Sequence, residues 1–310
     1  MGVERRRFLG VMAAVAASGV LGGRAPAAAA EAVVSVPDWM SALPDKIALN
    51  NLTIPGTHDT AARKGALWLR TQDLTLAEQL QLGIRFFDVR CRVTGDSFAI
   101  HHDALYLDLM FGDVLVACDA YLKAHPKETV LMRVKQEYSS ESDAVFLRIF
   151  TDYLDRRGWR RLFFLENRIP TVGEVRGRVV LLANVSGLPG IPWGGGSRLV
   201  IQDEYNVPTL FDRQAKWEKV LAHFAKAQAA ADGKLYVNFA SGTGVGAAPS
   251  SVAAHVNPLL RDHAAAWPEK FPVTQNRPGL GVVPMDYPED TEGLVTALIR
   301  CNSDAECVVP

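Results

Sequence analysis

The sequence is 310 residues long, with 34 acidic and 33 basic side chains, a formal charge of −1 and 48% hydrophobic residues. That composition excludes a disordered or low-complexity chain, and the near-zero charge leaves no basic face for a nucleic-acid partner. The length suits one large hydrophobic core without a second domain.

The chain opens with an address. Arg5-Arg6-Arg7-Phe8-Leu9 is a twin-arginine pattern, 10–22 is a weakly apolar Ala/Gly/Val stretch, and 27–30 is a run of four alanines that offers A-x-A cleavage. Together they predict an export signal over residues 1–30 and a secreted or periplasmic mature domain over 31–310. The apolar run is too short, and too poor in Leu and Ile, to span a bilayer. Removing 1–30 takes away four arginines and one glutamate, so the formal charge moves from −1 to −4. A monomer with no obligate protein partner is expected.

Short β-rich runs then alternate with helical segments, at 47–54, 84–93, 98–102, 129–138, 178–185, 198–205, 234–240 and 281–287. Eight such runs predict an α/β chain folded as a single TIM-type (β/α)8 barrel. Helices are predicted over 76–82, where Thr75 and Glu78 form a capping box and Gly83 supplies the stop, and over 105–124, ending before Pro126. Val93 and Phe98 are separated only by a Gly95-Asp96 turn, too short for a crossover helix. Two strands joined that tightly are antiparallel, so the barrel is expected to be irregular.

Polar residues gather at the C-terminal ends of these runs: His58 and Asp59, Asp88 and Arg90, His102, Lys135 and Glu137, Asn184, Asp203 and Tyr205, Asn238, and Asp286. In a barrel these ends share the face that carries the chemistry. Alternation puts Asp88, Arg90 and Arg92 on one side of their strand and Phe87, Val89 and Cys91 on the other, so the charged set should line the lumen. Arg133, Lys135 and Glu137 share a parity too, whereas the pattern does not say which of His101 and His102 faces inward.

Two histidines, His58 and one of His101 or His102, with Arg90 between them in sequence, form a set that can cleave a phosphodiester without a metal. One imidazole takes the proton of the attacking hydroxyl, the other protonates the leaving oxygen, and the guanidinium meets the charge on phosphorus. His125, His223, His255 and His263 have no carboxylate or cysteine neighbours at ligand spacing and read as surface or packing residues. Cys91, Cys118, Cys301 and Cys307 match no zinc motif. Export permits disulfides, and Cys301 with Cys307 can staple the tail or remain thiols. The Gly/Pro/Ser-rich segment 241–251 is either a mobile rim over the active face or a plain connection.

With these residues in view, the chain resembles the bacterial phosphatidylinositol-specific phospholipase C family, the X-domain-like phosphodiesterases. The likeness is carried by Ile54-Pro55-Gly56-Thr57-His58-Asp59, Arg85-Phe86-Phe87-Asp88-Val89-Arg90 with Arg92, and His101-His102 followed by Leu105-Tyr106-Leu107. It continues in Lys135-Gln136-Glu137-Tyr138, Val200-Ile201-Gln202-Asp203-Glu204-Tyr205 and Met285-Asp286-Tyr287. The resemblance implies cleavage of phosphatidylinositol to diacylglycerol and inositol 1,2-cyclic phosphate, with no cofactor and no metal, since Arg90 stands where calcium-dependent relatives carry a carboxylate. It implies His58 as general base oriented by Asp286, Arg90 on a phosphoryl oxygen, His102 with Asp59 as general acid, and Asp88 holding Arg90. Lys135, Glu137, Asp203 and Tyr205 match the family's inositol-binding positions, Asn184 stands where the family often has arginine, and Trp68 matches a rim tryptophan. Trp68 either dips into the lipid interface or packs in a helix core, and contact with the membrane is expected to be transient. Two other functions stay open: a phosphodiesterase of the same barrel acting on another phospholipid or a glycerophosphodiester, and a non-catalytic inositol-lipid-binding module.

Overall fold

The computed structural model describes residues 35–194, 198–267 and 279–302. The expected export signal over 1–30 and Cys307 lie outside them.

The central sheet is parallel and curled. β1 (Thr53–Thr57) lies between β2 (Phe86–Thr94) and β11 (Gly281–Met285). Beyond β2 come β5 (Val130–Gln136) and β7 (Val179–Asn184), and beyond β11 come β10 (Leu235–Asn238) and β9 (Leu199–Gln202). The outer edge of β7 is shared by two short strands, β6 (Phe163–Phe164) near its start and β8 (Ile191–Pro192) near its end. Eight positions therefore run around an irregular (β/α)8 barrel. Among the described residues no strand pair joins β9 to β6 or β8. Across that seam, Trp193 after β8 meets Phe239 after β10, with ring centroids 6.2 Å apart.

β2 and β3 (Ser97–His102) form the expected antiparallel hairpin, with Thr94 opposite Ser97 and Gly95 in the left-handed region. The helix expected over 105–124 is instead β4 (Leu105–Met110) followed by α2 (Phe111–Ala124). Leu105-Tyr106-Leu107-Asp108 alternates apolar and polar residues, a strand period, and β3 offers an unpaired edge that takes Tyr106 opposite His101. The first predicted run is also displaced. Residues 49–51 close a 3₁₀ turn around Asn50-Asn51, and the strand begins at Thr53 and runs through Pro55-Gly56. Gly56 is required there, because a Cβ would lie 2.8 Å from Phe86.

Helices cover the outside. α1 (Leu76–Gln81) carries the Thr75/Glu78 capping box, while α3 (Asp143–Asp155) and the single turn α4 (Val172–Val175) precede β6 and β7. α5 (Arg213–Ala229), α6 (Pro249–Ala265) and α7 (Leu294–Arg300) enclose the β9–β10–β11 side. Between β7 and β9 the described residues contain no helix, the second departure from a regular repeat.

Strand parity decides what each side chain meets. Phe87, Val89 and Cys91 are buried in the outer core with Phe111, Leu115, Phe146 and Phe150. Phe98 stacks on Phe146 at 4.2 Å, so Phe146→Ala is expected to cost about 3–5 kcal/mol. Arg85, on the same parity as Phe87, is fully buried, pairs with Glu128 at 2.9 Å and donates to the carbonyls of Leu80, Ile84 and Pro37. It ties the lower rim of the barrel and takes no part in the upper face. Cys91 and Cys118 are buried free thiols, and burial pushes Cys118 up to about 12, which suits packing rather than nucleophilic chemistry. The inward parity carries Phe86, Asp88 and Arg90, and the lumen below the charged layer is filled by Phe86 stacked on Trp193 at 6.4 Å.

Candidate active site

Three strands of the β5–β2–β1–β11 stretch end in strained turns. Asp59 after β1, Tyr138 after β5 and Tyr287 after β11 all have φ near +40°. This region disfavours side chains other than glycine by about 1–3 kcal/mol and recurs where a site dictates side-chain direction. The turn after β1 is held from several sides. Thr71 Oγ1 donates to the carbonyl of Asp59 at 3.1 Å, and Gln72 Nε2 donates to the carbonyls of His58 and Met285 at 2.8 and 2.9 Å. The His58 backbone N–H donates to Met285 O at 2.9 Å, locking β1 to β11 where each carries its functional residue.

His58 Nδ1 lies 2.8 Å from Asp286 Oδ1, and His58 Nε2 lies 2.8 Å from Arg90 Nη2. A guanidinium only donates, so Nε2 is the acceptor and the imidazole is neutral, with its proton on Nδ1 facing Asp286. Burial disfavours the imidazolium, but the Asp286 charge and hydrogen bond outweigh it, and His58 titrates above the ordinary histidine value. The group is thus a base with its lone pair aimed at the guanidinium.

Arg90 is the centre of the cluster. It donates to Asp88 Oδ2 from Nε at 3.3 Å and from Nη2 at 3.2 Å, and its Nη1 is 3.4 Å from Asp59 Oδ2 and 3.8 Å from Glu137 Oε1. Burial works against its charge, yet the carboxylates of Asp59, Asp88 and Glu137 hold it above even the usual arginine value. Asp88 is buried, which favours protonation, but Arg133 and Arg90 keep it well below the carboxylate range. Its backbone N–H donates to Thr60 Oγ1 at 2.7 Å, so the carboxylate supporting Arg90 is itself fixed by the β1 turn.

On the other side of Arg90, His102 Nδ1 lies 2.8 Å from Leu69 O and 3.2 Å from Asp59 Oδ2. With Nδ1 occupied, Nε2 is left without a hydrogen-bond partner among the described residues. Asp59 is buried, and both of its oxygens lack an aligned hydrogen bond. Burial raises it above its ordinary value against the pull of Arg90 and His102. His101 faces away from this cluster, its ring tilted against Tyr106 at 5.7 Å with Nδ1 3.3 Å from Asp103 O, so the parity question is answered in favour of His102.

The predicted headgroup residues divide into two groups. Lys135 Nζ pairs with Glu137 Oε2 at 2.7 Å, and Glu137 reaches Arg90; its burial is outweighed by Arg90 and Lys135, which lower it. Asn184 accepts from Arg133 Nε at 2.8 Å. Asp203 and Tyr205, just past β9, are exposed and share no hydrogen bond or ion pair with the His58–Arg90 cluster. Trp68 is not in a helix core: it is 50% exposed on the 64–70 loop, with Nε1 donating to Gly244 O at 3.3 Å.

Several residues escaped sequence reasoning. Arg133 has the inward parity of its strand, but nothing in the pattern separated it from Arg92. Trp193 and Phe239 meet each other and stand 4.3 and 5.9 Å from the Arg133 guanidinium, the former in a Gly/Pro-rich loop whose lone aromatic was the available signal. The 241–251 segment is not a plain connection. Thr243 and Gly246 bridge Asn206 and Thr209, and a Cβ on Gly244 would lie 2.2 Å from Val207 O. Those bridges gather Leu67, Trp68, Val245 (96% exposed), Leu210 and Phe211 (94% exposed) along one rim. No helix among the described residues is long and apolar enough to cross a membrane, and none of their His, Cys, Asp and Glu groups forms a cluster of three suited to a metal ion.

Residues 46–184 match the family described as phosphatidylinositol-specific phospholipase C, X domain. A 1-phosphatidylinositol phosphodiesterase of Listeria monocytogenes is 32% identical over 277 residues, covering 83% of this chain and 82% of the relative. One of Staphylococcus aureus strain Newman is 32% identical over 257 residues, covering 72% and 81%. The solved phosphatidylinositol-specific phospholipase C of Listeria monocytogenes superposes with a TM-score of 0.76 at 29% identity, over 87% of this chain and 100% of that one. A structure of the Staphylococcus aureus enzyme, from work on modulating its membrane binding, gives 0.74 at 28% identity over 87% and 98%.

Proposed function

The chain belongs to the phosphatidylinositol-specific phospholipase C family, and from that premise we propose that it is a phosphorus–oxygen lyase releasing diacylglycerol and inositol 1,2-cyclic phosphate from phosphatidylinositol. One observation carries the chemistry: His58, Arg90 and His102, each backed by its own carboxylate, converge on one opening at the C-terminal ends of β1, β2 and β3.

Arg90 Nη2 donates to His58 Nε2. A phosphodiester anion entering beside Arg90 gives that donor a charged acceptor, and the His58 lone pair becomes free for the inositol 2-hydroxyl. His58 takes the hydroxyl proton as the oxygen attacks phosphorus, and Asp286 stabilises the imidazolium. The new P–O bond closes the cyclic ester while the P–O bond to glycerol breaks. Its electron pair goes to the glycerol oxygen, which takes a proton from His102 Nε2. The two imidazoles finish with exchanged protonation states, and proton exchange with solvent resets them. Each proton transfer supplies roughly 10²- to 10⁴-fold, and the nucleophile's place on the substrate itself adds proximity. Arg90 gains most as charge grows on the phosphoryl oxygens. Its guanidinium fills the space between Asp59, Asp88 and Glu137 and supplies there the positive charge that would otherwise call for a cation.

Lys135, Glu137, Asn184, Asp203 and Tyr205 are proposed to receive the inositol ring. The rim of Leu67, Trp68, Leu210, Phe211 and Val245 is proposed to touch the lipid surface transiently. Residues 1–30 are proposed to direct export through a twin-arginine route, leaving a mature monomer.

Phosphorus NMR of the products formed from phosphatidylinositol with chelator present tests the reaction: a cyclic phosphate signal is expected. His58→Ala and His102→Ala should each lose it, by about 10⁴-fold or more in rate, while melting near the wild-type temperature. Activity lost to chelator and restored by calcium, or a His58→Ala enzyme that still turns over, would defeat the assignment.

A further inference from the structure

Arg133 is a buried guanidinium that the mechanism above does not use. It sits on β5 directly opposite Asp88 of β2, two residue pairs below the level of Arg90 and Lys135. Its Nη1 donates to Asp88 Oδ1 at 3.2 Å and its Nε to Asn184 Oδ1 at 2.8 Å, while Nη2 makes no hydrogen bond to the described residues. The guanidinium carbon stands 4.3 Å from the Trp193 ring centroid and 5.9 Å from that of Phe239, whose other neighbour is His58 at 6.0 Å. Asp88 therefore bridges two guanidiniums, Oδ2 on Arg90 and Oδ1 on Arg133, and the second reaches from β5 to the β7 position that holds an uncharged amide.

A guanidinium has five N–H donors, and with Nε on Asn184 and Nη1 on Asp88 the Nη2 donors of Arg133 are left to meet a ligand. Neutralising Asp88 would need only a point charge. The fork aligned by Asn184 and flattened against Trp193 has a fixed plane, as suits a ligand with several oxygens.

We propose that Arg133 contacts the headgroup directly, donating from its unpaired terminal nitrogen to inositol ring hydroxyls and setting headgroup selectivity in place of a cationic side chain at position 184. This rests on the phosphodiesterase reading. A ring lacking those hydroxyls leaves the donors without their ligand partners, which is how hydrogen-bonding pockets discriminate.

The test compares wild type, Arg133→Lys and Arg133→Gln on phosphatidylinositol in detergent micelles, with myo-inositol as competitor and its binding measured by calorimetry. Arg133→Lys keeps a charge beside Asp88 and guards against a folding defect. The expected result is a rise of about tenfold in KM and in the inositol inhibition constant for both variants, the loss of one charged hydrogen bond, with kcat changed less than about threefold. Arg133→Gln combined with Asn184→Arg should recover inositol affinity, whereas Asn184→Arg alone, which sets two guanidiniums against each other, should weaken it. Unchanged inositol affinity in both single variants overturns the proposal, as does a collapse of kcat with affinity intact, which would mean that Arg133 acts through Asp88 on Arg90. A wild type that makes no cyclic phosphate refutes the phosphodiesterase reading instead, and calorimetry still tests Arg133.

Discussion

The strand ends of β1, β2 and β11 and the rim formed by 64–70, 205–211 and 241–248 border the same opening but are built on opposite principles. In the first, His58, Asp59, Asp88, Arg90 and Asp286 are mostly buried, each backed by a neighbour's charge or hydrogen bond. In the second, Tyr205, Leu210, Phe211 and Val245 are exposed, and the segments that carry them are ordered by backbone bridges and a few single hydrogen bonds such as Trp68 Nε1 to Gly244 O. Charge development at phosphorus needs groups already in place when the transition state arrives. A lipid surface, the partner proposed for the rim, offers no fixed geometry, which suits apolar area rather than aligned donors.

The contrast breaks most sharply at Arg90. Arg90→Lys should lower kcat by about 10²- to 10³-fold with little change in KM, because an ammonium cannot meet Asp88, Asp59 and the phosphoryl group at once. A lysine enzyme within threefold of wild type would show that the locked geometry is dispensable.

Asp286→Asn should have a somewhat smaller effect on rate and a diagnostic one on pH. His58 must be neutral to accept a proton, and with Asp286 present it titrates above the ordinary histidine value, which places the acid limb of kcat/KM there. Without that carboxylate, burial and Arg90 both lower the pKa against the pull of Asp88, so the limb should move to lower pH while kcat drops about 10²-fold. An unmoved limb would mean that another group is the base.

The rim should give the smallest effects. Trp68→Ala and Phe211→Ser are each expected to lower the rate on phosphatidylinositol vesicles by about three- to tenfold and to leave the rate on a short-chain monomeric substrate unchanged. Equal losses on both substrates would move these residues from the interface into the catalytic structure.

Much of the locked region was legible in the sequence because strand alternation is a local rule. Once Arg85-Phe86-Phe87-Asp88-Val89-Arg90 is a strand beside a hydrophobic core, Phe87 and Val89 face out, and Asp88 and Arg90 face the lumen. The Thr75/Glu78 capping box and the Gly95 hairpin are likewise short-range signals, and both are present. The failures lie where a distant partner overrode a local preference. Residues 105–110 leave their helix-like context because β3 has an open edge, and Pro55-Gly56 stays in a strand because Phe86 needs the space above Gly56.

Residue chemistry and period, which the chain carries in itself, were enough to determine the barrel class and the lumenal parity of Asp88 and Arg90. Only the tertiary structure decided that His102 rather than His101 meets Asp59, that Asp88 is shared between Arg90 and Arg133, and that Leu210, Phe211 and Val245 gather beside Trp68. Each of these depends on segments far apart in sequence arriving within a few ångströms, and period-two and period-3.6 patterns hold no information about such meetings.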